Sequence, residues 1–137
     1  MTESEKIEFL DSYKYIIMQI KGYSKELKRI RSIAIDISQK YSDMPHGTGK
    51  SSAKYEDKVD TITDLINSIN NDLESAKQKR DMINKSINNI KNIRYKTILI
   101  LWYINCLPLD EITDIMHKSD VRQLYKLRKS ALKHFNI

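Results

Sequence analysis

Apolar residues recur in alternating steps of four and three along Tyr55, Val59, Ile62, Ile66, Ile69, Leu73, Ala76, Ile83, Ile87 and Ile90. The single gap in this series is filled by Arg80. A repeat of this period puts one continuous stripe on an α-helix and turns it toward a partner helix. A strand cannot use it, because successive side chains of a strand point to opposite faces. Arg80 can keep its place in the seam by running its stem along it and lifting its charge out. An earlier segment obeys the same rule at Leu10, Tyr13, Ile17, Ile20, Ser24 and Leu27. Its phase slips at Ile30 and resumes as Ala34, Ile37 and Tyr41; such a slip overwinds a coil locally without ending it.

Both segments run to about 35 residues, roughly 50 Å of helix each at the α-helical rise. Only 3 Gly and 2 Pro occur in 137 residues, so long unbroken helices are permitted. Equal lengths and a short connector predict an antiparallel coiled-coil hairpin over residues 1–92, with its turn at 43–54. Neither helix can bury its stripe alone, so the two pair within one chain or between chains.

The connector contains HGTGKSS, His46 to Ser52, which resembles the end of the phosphate-binding pattern G-x-x-x-x-G-K-[ST]. The first glycine of that pattern would fall at Met44, and a buried strand should precede the loop. The residues before it, SIAIDISQKYSD, have helical spacing instead. The expected structure is a polar turn in which Pro45, Gly47 and Gly49 stop one helix and Ser51 or Ser52 caps the next. Lys50 is then a solvated turn lysine.

Apolar residues make up 40% of the chain and charged residues 31%, with a formal net charge of +6. That balance excludes a disordered chain. The longest apolar run, TILILWYI from Thr97 to Ile104, is far short of the roughly 20 residues of a membrane span. It is expected to be a buried helix. The start of the chain lacks the order of a signal peptide, and an intracellular, cytoplasmic protein is expected. Cys106 is the only cysteine and is expected to be a small core side chain. His46, His117 and His134 lie far apart with no metal-ligand spacing. No nucleophile–base pair has a context that would position it, so neither an enzyme, a metal site nor a cofactor is expected.

After Asn92 the pattern changes, and residues 93–137 read as a separate helical module. Pro108 suits a helix start, and Asp110 and Glu111 suit the positive end that follows. Ile112, Ile115 and Met116 would form the apolar stripe of this short helix. Asp120 is placed to cap a final helix, with Gln123 in capping-box position. At about 100° per residue, Leu124, Leu127, Ala131 and Phe135 share one sector of that helix. Arg122, Lys126, Lys129 and Lys133 fall on the opposite side within a band of about 60°. Arg128 adds a fifth positive charge, and no acid occurs from Val121 to Phe135. A solvated face usually mixes both signs. A row of one sign, behind a short helix and a turn, suits the phosphate-lined major groove.

These residues resemble region 4 of bacterial sigma factors, a helix-turn-helix module, at Arg94, Tyr103, Glu111-Ile112-Thr113, Leu124 and Ala131-Leu132. The chain from Phe9 to Phe135 also looks like small bacteriophage transcriptional regulators of the RinA and ArpU type, which pair a helical hairpin with such a module. LKRIRSIAIDIS, the Gly/Ser turn and VRQLYKLRKSAL carry that likeness. Three features depart from the pattern, one being Asp120 in the capping place often held by serine. His117-Lys118-Ser119 stands where the turn usually has a glycine, and Thr113 replaces a small alanine.

The resemblance implies an all-α protein that binds double-stranded DNA and controls phage genes in a bacterial host. Arg122, Gln123 and Lys126 would reach base edges. Ser119, Lys129 and Lys133 would hold phosphates and set register. Tyr125 is expected to pack beside the core. The hairpin would serve for dimerisation or for contact with RNA polymerase or another phage or host protein. A single small module binds weakly, so a homodimer or a partner is expected. Two other readings compete. One is a hairpin that binds proteins without DNA; the other is a small-terminase-like packaging protein, in which the DNA module usually comes first.

Overall fold

The computed structural model describes residues 1–42 and 49–137, and side-chain surroundings outside 41–55. Among the described residues every regular element is a helix and no strand occurs. The helices are α1 (Glu3–Asp11), α2 (Tyr13–Ser42), α3 (Gly49–Asn88), α4 (Ile93–Leu99), α5 (Leu109–Ile115) and α6 (Val121–Lys133). A π-helical turn, Ile100–Ile104, continues α4. No helix among the described residues is long and apolar enough to cross a membrane.

The first helix is stapled at its start by a complete capping box. The Thr2 hydroxyl accepts from Glu5 N, and the Glu5 carboxylate accepts from Thr2 N. The helix bends at Ser12, whose hydroxyl donates to the Phe9 carbonyl at 2.5 Å. Backbone bonds from Ser12 N to Glu8 O and from Ile16 N to Ser12 O carry the chain across the bend into α2.

Two compact units divide the chain. One comprises Gln19–Ala76, drawn from α2 and α3. Its buried residues among those described are Leu27, Leu73 and Ala76 on the predicted seams and Ile30 at the phase slip, while Val59 of the second seam is exposed. Ile37, late in α2, lines one groove with Asp57, Lys58, Thr61 and Ile62, early in α3. The bidentate pair of Glu26 with Arg29 is exposed.

The other unit joins Met1–Met18 with Lys77–Ile137. Its core is built from every helix it contains. Leu10, Tyr13 and Ile16 come from the N-terminal part, Ile83 and Ile87 from α3, and Ile98 and Leu99 from α4. Ile112 comes from α5, and Leu124, Leu127, Ala131, Leu132 and Phe135 from α6 and its exit. Asn84 Nδ2 donates to Tyr13 Oη at 3.4 Å, so the start of α2 meets the end of α3. Arg80 occupies its gap in the seam with Nε on Asp81 Oδ1 at 3.0 Å.

Several local expectations need correction. Helix α3 begins at Gly49, so Ser51 and Ser52 lie inside its first turn and neither is its N-cap. The stretch from His46 to Thr48, with Met44, Pro45 and Gly47, lies outside the described residues, as do the side chains of Tyr41, Lys50 and Tyr55. The backbone ahead of it is helix through Ser42 and not a strand. Cys106 is exposed and left-handed, with φ 50°. It follows the end of the helical run, where the chain must reverse, and its thiol donates to the Tyr103 carbonyl at 3.3 Å. Ile115 is 49% exposed; helix α5 is only 7 residues long and rests on the core through Ile112.

Candidate nucleic-acid interface

Helix α6 is fixed at both ends. At its start, Asp120 is extended and its carboxylate accepts from Gln123 N at 3.2 Å. The Gln123 side chain does not close a capping box on Asp120. It reaches one residue further back and accepts from Ser119 N at 3.2 Å. At the other end, Lys6 Nζ donates to the Leu132 carbonyl at 2.8 Å, a cation placed on a helix C-terminus.

The turn ahead of α6 explains the missing glycine. After α5, His117 takes a left-handed conformation with φ 55°. Lys118 N donates to Thr113 O at 3.0 Å, and His117 N to Asp114 O at 3.3 Å. This is the Schellman arrangement, with His117 in the position that glycine usually fills. The Thr113 hydroxyl donates to the Leu109 carbonyl of its own helix at 2.7 Å.

With Leu124, Leu127, Ala131 and Phe135 buried, the opposite face of α6 is set outward. Arg122, Gln123, Lys126, Lys129 and Lys133 are all exposed, and so is Ser119 in the bend before the helix. None of these four cations forms an ion pair with the described residues. The fifth charge behaves differently. The guanidinium of Arg128 lies over the ring of Trp102 at 4.7 Å and over that of Tyr125 at 5.1 Å. At about 240° from Arg122 on a helical wheel it falls beside the core sector, so it packs and does not join the row. Tyr125 meets Trp102 edge-on at 5.3 Å, although it remains 45% exposed.

The cation row has a neighbour that the one-dimensional pattern does not reveal. Gln123 and Lys126 line a cleft of about 340 Å³ with Arg94, Tyr95, Lys118 and Ser130. Arg94 is delivered by the start of α4, where the Asn92 side chain accepts from Arg94 N at 2.9 Å and from Tyr95 N at 3.4 Å. Tyr95 in turn stacks on His134 at 4.9 Å. Three cations from α4, the turn and α6 thus converge on one open cleft beside the row. Their only sequence signal is the basic character of each segment. Hydrogen-bond donors without local acceptors on such a surface suit phosphate oxygens.

Residues 38–136 match a family described as a protein of unknown function, DUF1492. No curated protein and no solved structure matches the chain. The family match takes in all of α3, α4, α5 and α6, and therefore the cation row and its cleft: the chain belongs to the DUF1492 family.

Proposed function

We propose that this protein is a DNA-binding transcriptional regulator of phage type, acting in the bacterial cytoplasm. In this reading α5, the His117 turn and α6 form a helix-turn-helix similar to sigma region 4. Arg122, Gln123 and Lys126 face base edges, while Ser119, Lys129 and Lys133 hold phosphates. Lys118 and Arg94 extend the phosphate contacts into the adjoining cleft. The paired α2 and α3 act as a coiled-coil arm for dimerisation or for contact with RNA polymerase, in line with the RinA and ArpU likeness. No catalytic step, metal or cofactor enters.

The observation that carries this reading is the exposed, unpaired row of Arg122, Lys126, Lys129 and Lys133 on the side of α6 opposite its buried sector. Selection of bound duplexes from a random pool tests it. Enrichment of a short motif is expected, palindromic if two copies dock together. A pool that remains random after repeated rounds contradicts sequence reading and favours a hairpin that binds proteins.

A further inference from the structure

A second cavity lies away from the cation row, between the α1–α2 bend, the π-helical turn and α6. It measures about 450 Å³, within the range of small-molecule sites. Leu10, Trp102, Leu107 and Leu109 give it apolar walls, and α6 contributes Tyr125 and Arg128. The flat cation of Arg128 is held against both aromatic rings. It has no carboxylate partner among the described residues. Its Nε is buried without a hydrogen-bond partner, and the same is true of the hydroxyl of Tyr103. Tyr103 also lines this cavity and is only 3% exposed. The two groups lie near each other without meeting hydrogen-bond geometry. Buried donors without acceptors are rare in folded proteins, and here two of them belong to residues of one cavity. Irregular backbone gathers at the same place. The π-helical turn supplies Trp102 and Tyr103, and left-handed Cys106 is part of the lining. Such widened turns are frequent at functional sites.

We propose that this cavity binds a small monocarboxylate with an apolar body. The carboxylate lies on the Arg128 guanidinium, whose planar fork matches it, and the body rests against Trp102 and the leucines. Lys14 adds a second positive charge and Asp11 a negative one. Asp11 disfavours a phosphate dianion, and a cavity of this size has no room for a duplex. Tyr125 and Arg128 both belong to α6, so an occupant bears directly on the helix that carries the cation row.

Trp102 is the only tryptophan of the chain, and its fluorescence reports the cavity without any DNA present. The test titrates the full chain with cyclohexanecarboxylate and, separately, with the uncharged cyclohexanecarboxamide. A saturable change is expected for the carboxylate, with affinity for the amide weaker by roughly tenfold or more. Arg128→Lys, which keeps the charge and loses the fork, should weaken the carboxylate several-fold. Equal titration by acid and amide overturns the proposal. So does the absence of any saturable change up to about 10 mM, where even a millimolar site would fill.

Discussion

Lys6 and Leu132 are 126 positions apart, and the ammonium of the first donates to the backbone carbonyl of the second at 2.8 Å. One bond thereby ties α1 to the last turn of α6. Leu132 O also accepts from Phe135 N at 3.2 Å, so the carbonyl keeps a partner if the lysine is lost. Lys6→Met retains the apolar stem and removes the donor. It should lower the unfolding free energy by about 1 kcal/mol. Denaturant unfolding checks this, and unchanged stability would show that the bond contributes nothing.

A left-handed L-residue costs about 1–2 kcal/mol, and His117 has φ 55°. Glycine removes that strain but gives back part of the gain through its freer unfolded chain. His117→Gly should therefore stabilise the fold by about 0.5–1 kcal/mol. A lower melting temperature than the parent would contradict the turn geometry.

Burial pushes the Tyr103 phenol above its ordinary range, opposed by the positive charge of Arg128. The folded chain thus holds this proton longer than the unfolded chain does. The contribution is complete below the unfolded tyrosine value near 10 and is lost as pH rises through the higher folded value. Tyr103→Phe should make the alkaline fall in stability shallower than in the parent. At neutral pH it should cost little, because the hydroxyl it removes has no partner. Parallel alkaline profiles of the two proteins would remove burial of this phenol as a cause.

Much of this was legible along the chain because it depends on period. The seam through Leu73, Ala76, Ile83, Ile87 and Ile90 is buried as its spacing requires. Asp120 caps α6, and Pro108 precedes α5. The four cations opposite the α6 core are exposed for the same reason. What could not be read depends on elements meeting in space. Arg94 and Lys118 come from separate segments and join Lys126 only in the fold. The π-helical turn at Ile100–Ile104 leaves no mark in a run of apolar residues, and it places exposed Cys106 beyond its end. The place of Arg128 apart from the row was open to reading, since its wheel angle lies beside the core sector.

On the proposed interface, two single changes should separate. Lys129→Glu should weaken binding to every duplex, because a phosphate contact carries no sequence information. Arg122→Ala should relax base preference and cost about 1–3 kcal/mol on the preferred site. Competition between preferred and random duplexes distinguishes the two. Identical behaviour of both variants would contradict the division of roles along α6.

The most direct test of the cation row is the affinity of the full chain for duplex DNA as a function of salt. If Lys129 and Lys133 each neutralise a phosphate, the logarithm of the association constant should fall against the logarithm of salt with a slope of about −2. Contacts from Lys118 and Arg94 would steepen it toward about −4. A slope near zero, or no measurable binding at low salt, would contradict the account.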